Sequence, residues 1–149
     1  VLGWVPRMGR YANVSLHPGA QVVPGVLIYR LDDRLFFANA SYVKARIREA
    51  IAGAPSPVAW FVFDAEGLTG VDSTGAEALE SIVEDLARQH IGFAVARLKA
   101  PVRLHLDGAG LTEAIGADHL YETVGAAVDA LAPGPSPRTP DRGTRRGPG

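Results

Sequence analysis

Cysteine is missing altogether from the 149 residues, which excludes disulfides and thiolate metal centres. That suits a reducing compartment without requiring one. Long apolar runs are missing too. The most hydrophobic stretch, V-A-W-F-V-F at 58–63, falls far short of the roughly 20 residues a membrane helix needs. No secretory pattern opens the chain. A dominant charge is also absent: the formal net charge is −1, which gives nucleic acid or a membrane surface no electrostatic pull. The balance hides an asymmetry. Residues 133–149 hold four Arg and one Asp, leaving −4 for the remainder out of −1 overall.

Catalytic signatures are missing as well. His17, His90, His105 and His119 stand far apart, and none has metal-ligand spacing with a partner. There is no H-E-x-x-H, G-x-S-x-G or G-x-G-x-x-G. Asp64, Glu66 and Asp72 can in principle form an acidic pocket for Mg²⁺, as in a receiver-like phosphoacceptor. The clustered acids such a site needs on an earlier strand are not there. No constellation argues for an enzyme.

What is present is a single domain's worth of chain, 47% hydrophobic, with room for a real core. It is organised around D-A-E-G-L-T-G-V-D-S-T-G at 64–75. The apolar run 58–63 leads in and an amphipathic pattern at 76–90 leads out, giving buried strand, glycine-rich loop, helix. In open α/β sheets such carboxyl-end loops are where ligands and partners bind. Thr74 with Glu77 fits a capping box, although Asp72 or Ser73 can cap instead. Backbone N–H groups at that helix start favour an anion. A hydroxyl there is well placed to receive a phosphoryl group, opposed by the charge of Asp72. G-V-D-S-T-G at 70–75 satisfies the glycine spacing of a P-loop, but Ala76 and Glu77 stand where Lys and Ser/Thr are required. The NTPase reading therefore fails. Weak nucleotide binding and a plain helix cap both remain readings of the same residues.

Along the chain, residues 1–11 show neither helical nor strand period and read as a linker. Trp4 and Tyr11 beside Arg7 and Arg10 suit a membrane interface or an ordinary lead-in equally well. Residues 13–16 read as a short edge strand, and His17-Pro18-Gly19 as a turn. Residues 26–31 form a strand that a short acidic turn, Asp32-Asp33, joins to extended residues 34–37 in a hairpin. A helix follows to about Ala52, with Val43, Ile47 and Ile51 inward. The 58–63 run is apolar on both strand faces, as in a central strand covered on both sides. The 76–90 helix turns Leu79, Val83 and Leu86 inward, and Glu84–Arg88 makes an i,i+4 pair. Residues 91–96 form a second buried strand. Arg97 and Lys99 at its end meet a phosphate, an acidic partner or, most simply, nothing. Short helices at 102–106 and 111–115, a strand at 119–121 and a closing helix at 123–131 complete the order. Alternating strands and helices give an α/β sheet with parallel later strands, made mixed by the early hairpin. Residues 133–149, dense in Pro, Gly and Arg, read as a disordered tail. Val1 in place of Met points to a piece of a longer protein.

Asp64 with V-D-S-T-G at 71–75, followed by a long helix, resembles the STAS domain, named for sulfate transporters and anti-sigma-factor antagonists. The opening half resembles one branch more specifically. L-G-W-V-P at 2–6, Arg10-Tyr11, P-G-V-L-I at 24–28 and L-F-F-A-N-A at 35–40 are similar to the segment after the last transmembrane helix of SulP anion transporters. Phe36 stands where Tyr is common, and Trp4 where Arg is frequent. The likeness covers about residues 1–131. It implies a STAS fold, a mixed, mostly parallel sheet with flanking helices. It divides the chain into a linker at 1–12 after a transmembrane domain, the STAS domain at 13–132 and the tail. It implies a non-catalytic regulatory or assembly module at the cytoplasmic face of the plasma membrane, in an integral membrane protein. Its partners would be that protein's membrane domain and a second subunit as homodimer, with no nucleic acid. It also implies binding of guanine or adenine nucleotide (GDP, GTP or ATP), with no cofactor required and no metal. The candidate contacts are Leu35, Phe37, Asn39, Asp72, Ser73, Thr74 and Gly75. In the other branch, free anti-sigma-factor antagonists, the hydroxyl after the Asp is phosphorylated by a partner kinase. Carried over, that marks Ser73, with Thr74 second.

Overall fold

The apolar strand segments alternate large and small side chains, and this sorts the two faces of one sheet. Leu27, Phe61, Phe63, Phe93 and Val95 point to one face, where the larger core lies. Val26, Ile28, Val62, Ala94 and Ala96 point to the other. The period of two along a strand produces this division. In the computed structural model, which describes residues 1–17 and 21–133, the strands are β1 (Leu2–Val5), β2 (Arg10–Asn13), β3 (Val26–Arg30), β4 (Trp60–Asp64), β5 (Gly92–Ala96) and β6 (Leu120–Tyr121). Their order is β2-β1-β3-β4-β5-β6. β1 runs antiparallel to β2 and β3, and the pairs from β3 to β6 are parallel.

The helices are α1 (Ala40–Ala52), α2 (Ser73–Arg88), α3 (Ala100–Gly108), α4 (Leu111–Ile115) and α5 (Val124–Leu131). The first four cover the large-residue face. Val43 and Ile47 of α1 and Leu79, Ile82 and Leu86 of α2 meet Phe61, Phe63 and Phe93 there. The Phe61 and Phe93 rings stack at 5.6 Å, a contact worth about 1 kcal/mol beyond burial. α5 covers the other face with Val124, Ala127 and Val128. Ala94, Ala96 and Ala127 are fully buried in that cluster. Among the described residues no helix is long and apolar enough to cross a membrane.

Several expectations need correction. Residues 1–12 are not a linker. β1 and β2 pair over Leu2↔Asn13 to Val5↔Arg10, and Trp4 and Tyr11 meet edge-to-face at 5.3 Å. Backbone pairing and that aromatic pair override a sequence with no clear period. Residues 14–16 turn instead of forming an edge strand, since the strand is complete at Asn13. The hairpin expected over 26–37 does not form. Leu35 pairs in parallel with Val71, so residues 34–37 serve the loop beyond β4. Asp85, not Glu84, takes Arg88, and also Arg48 of α1, because only Asp85 faces the neighbouring helix. The turn at 17–19 and the tail lie, but for His17 and Pro133, outside the described residues.

Candidate functional site

The carboxyl ends of β3, β4 and β5 form one rim, and the β4–α2 connection crosses it. Asp72 is extended, with φ −88° and ψ −179°, and α2 begins one residue later. Its Oδ1 accepts from the Gly75 N–H at 2.7 Å, satisfying one of the orphan donors of the first turn. Asp72 is therefore the cap, and Thr74 sits inside the helix, so the Thr74–Glu77 box does not form. The second oxygen of Asp72 reaches across to a different element and accepts from the Phe37 N–H at 3.1 Å. Ser73 and Thr74 are exposed in the first turn of α2, whereas Gly75 is buried.

Two loops are laced together here. Leu35 N–H donates to Gly70 O at 2.8 Å, Asp72 N–H donates to Leu35 O at 3.2 Å, and Thr69 N–H donates to Asp33 O at 3.4 Å. Glycine permits this approach. A Cβ on Gly75 would stand 2.2 Å from Leu35 O, and one on Gly67 would stand 2.1 Å from Asp32 Oδ1. The side chain of Asn39 then folds the next stretch on itself. It accepts from Phe36 N–H at 2.9 Å and donates to Arg34 O at 2.7 Å. The Arg34 guanidinium lies 4.1 Å from the Phe36 ring centroid, a cation–π contact. Phe37 is left 74% exposed.

The structure thus brings Phe37, Asp72, Ser73, Thr74 and Gly75 to one place. Leu35 is fully buried and presents only backbone groups, both already used within the protein. Asn39 stands one step back and acts through Phe36. A shallow groove opens on the other side of the α2 start, lined by Asp72 and Ser73 and by Leu104 and His105 of α3. Leu104 is 71% exposed there.

The residue that the sequence reading left without a role is Arg97. Asp64 ends β4 fully buried, and a buried carboxylate must be paired. Arg97 supplies the pair, with Nε at 3.0 Å from Asp64 Oδ1 and a second bond to Oδ2. It also meets Glu66, and Arg30 of β3 closes the chain with Glu66 at 3.0 Å and Asp32 at 2.6 Å. The hydrogen bond to Asp32, opposed by burial, holds the Arg30 guanidinium above its ordinary value. Arg97 adopts φ +57°, the left-handed region, which turns its side chain toward Asp64. The same contacts bear on the three acids, Asp64, Glu66 and Asp72, that a Mg²⁺ pocket would need. The first two are neutralised by arginines, and the third is spent on backbone N–H groups. Among the described residues no cluster of His, Cys, Asp or Glu suits a metal ion. The signal that could have found Arg97 was Asp64 itself, an acid closing a strand apolar on both faces.

Comparisons with known proteins bear out the fold. The STAS domain family model matches residues 17–127. The chain is 39% identical over 131 residues to the probable sulfate transporter Rv1739c of Mycobacterium tuberculosis, covering 88% of the chain and 23% of that protein. It therefore spans less than a quarter of that relative's length. The fold is similar to murine Slc26a9, an anion transporter, with TM-score 0.76 and 21% identity over 87% of this chain and 21% of the other. It is also similar to a putative anti-sigma factor antagonist from Thermotoga maritima, with TM-score 0.63 and 17% identity over 74% and 91% of the two chains. With a mixed sheet of matching architecture and a family match over most of its length, this chain belongs to the STAS domain family.

Proposed function

We propose that this chain is the STAS module of a SulP-type transporter of sulfate or a related anion, held at the cytoplasmic face of the plasma membrane. Its work there is regulation and assembly, not catalysis. The observation that carries this reading is the 39% identity with a probable sulfate transporter over 88% of the chain, which includes the laced loops at the α2 start. Exposed Phe37, Ser73, Thr74 and Leu104 offer a surface to the membrane domain or a second subunit. The transport step belongs to the membrane domain.

The test uses the whole coding sequence from which the chain comes. Membrane vesicles bearing that protein should accumulate labelled sulfate, and deletion of residues 2–132, which removes the whole sheet, should reduce uptake or abolish assembly. A coding sequence without apolar membrane helices, or vesicles without anion uptake, would refute the reading.

The same rim is proposed to take a guanine or adenine nucleotide. The exposed Phe37 ring offers a stacking face, and the first turn of α2 offers backbone N–H groups; the Asp72 carboxylate opposes the phosphates. Titration with GDP or ATP should move amide resonances at 35–40 and 72–75 if this holds, and leave them in place if it does not.

A second reading is favoured by the exposed hydroxyl of Ser73 directly after the capping acid. It makes the chain a free anti-sigma-factor antagonist, switched by phosphorylation. Recovery of a serine kinase on the purified domain, lost in Ser73→Ala, would favour this reading over the first.

A further inference from the structure

The carboxylate of Asp72 serves two elements at once. Oδ1 caps α2 through Gly75 N–H, and Oδ2 holds the Phe37 N–H, 35 residues away in sequence. The neighbouring amides of the Phe37 loop are secured differently. Leu35 N–H uses the backbone of Gly70, and Phe36 N–H uses Asn39 of its own loop. Phe37 is 74% exposed, so burial does not fix it. What ties its backbone to the start of α2 is a single side chain.

We propose that Asp72 is a positioning residue that couples charge at Ser73 to the presentation of Phe37. Ser73 follows Asp72 directly and is exposed in the first turn of α2. A negative group on Ser73 repels the adjacent carboxylate. It is itself drawn to the first-turn N–H groups by the helix dipole. Asp72 then gives up the longer of its two bonds, the 3.1 Å one to Phe37, before the 2.7 Å cap to Gly75. The Phe37 backbone loses its tie to α2, its ring keeps the edge-to-face contact with Phe36 at 5.7 Å, and the surface offered beside Ser73 changes. The inference rests on the reading of the α2 start as a signalling surface.

Asn separates the two duties of this side chain. It caps helices as well as Asp does, but it has one oxygen, so only one of the two N–H groups keeps an acceptor. Amide hydrogen exchange on the isotope-labelled chain reads both. In Asp72→Asn, Phe37 should exchange at least about fivefold faster, the value of one ordinary hydrogen bond. Gly75 protection and the urea midpoint should stay near those of the parent. Ser73→Glu should speed Phe37 exchange with Asp72 intact, and should add nothing in the Asp72→Asn background. An unchanged Phe37 in Asp72→Asn would overturn the tether. Equal loss at Gly75 and Phe37 would reduce Asp72 to a cap and overturn it too. Release of Phe37 in Asp72→Asn but not in Ser73→Glu would overturn the coupling. Failure of anion uptake would sink the transporter reading and leave these exchange rates untouched.

Discussion

Replacing Arg97 by Met tests the rim at its most demanding point. Asp64 is fully buried and Arg97 is its cationic partner, with a side chain 31% exposed. Removing one member of a buried pair costs about 3–5 kcal/mol, because the other is left charged without compensation. The partial exposure of Arg97 lets water recover some of that loss, so the lower end applies, about 3 kcal/mol. The backbone supplies an internal control. Arg97 sits at φ +57°, a conformation that costs a side-chain-bearing residue about 1 kcal/mol. Met keeps that cost and Gly removes it. Arg97→Gly should therefore be milder than Arg97→Met by about 1 kcal/mol. Asp64→Asn removes the charge that needs compensation, so the double variant Asp64→Asn/Arg97→Met should cost at least about 2 kcal/mol less than the two singles added. Urea unfolding followed by circular dichroism measures all four, with equal slopes as the condition for comparing them. Additive single and double variants, or a loss under about 1 kcal/mol for Arg97→Met, would show that Asp64 does not depend on Arg97.

Other outcomes follow from single contacts. Gly75→Ala places a methyl 2.2 Å from Leu35 O, so the two loops must part. About 2 kcal/mol of stability should be lost, with faster hydrogen exchange at Leu35 and Phe37, whereas an unchanged urea midpoint would refute the close approach. His90 lies at φ +59° just past α2, where Ile91 N–H donates to Leu86 O at 2.9 Å and His90 N–H to Ala87 O at 3.0 Å, a Schellman closure. His90→Gly should therefore stabilise by about 1 kcal/mol in thermal unfolding. Asp85 is held below its ordinary value of 3.8 by hydrogen bonds from Arg48 and then Arg88. A lowered carboxylate stabilises above its unfolded value and loses that contribution as pH falls through the folded one. The α1–α2 tie should hold from neutral pH to about 4 and fade below it. A carboxyl-carbon NMR titration should show Asp85 moving back toward 3.8 in Arg48→Gln.

The elements legible in the sequence were those with a strong local period. The 58–63 run became β4, the 91–96 run became β5, and the long amphipathic pattern became α2 with Leu79 and Leu86 inside as expected, while Ile82 takes the buried place expected of Val83, which is half-buried. The candidate residues at 72–75 also gathered where the strand–loop–helix order placed them. What escaped was held by partners distant in the chain. β2 is a four-residue edge strand held by backbone pairing and one aromatic contact, and β1 inside it is too short for a period to show although it buries Leu2 and Val5. Residues 34–37 looked like the return strand of a hairpin, because apolar residues after Asp32-Asp33 carry no sign of which neighbour they will meet. Their acceptors, Gly70 O and Asp72, lie some 35 residues ahead.

Arg97 shows why the electrostatics were harder to read than the fold. Register would nominate Arg30 as the partner of Asp64, since the two are paired across β3 and β4. Arg30 is instead engaged by Asp32 and Glu66. Asp64 is paired across β4 and β5 with Ala96, which leaves the next residue, Arg97, beyond the last rung. From an extended backbone its side chain would project to one face of the sheet. The left-handed turn at 97 redirects it toward the strand end, and no residue preference announces such a turn at an arginine. The buried charge of Asp64 is what makes the turn worthwhile. A conformational cost of about 1 kcal/mol is small beside the several kcal/mol that an unpaired buried carboxylate would impose.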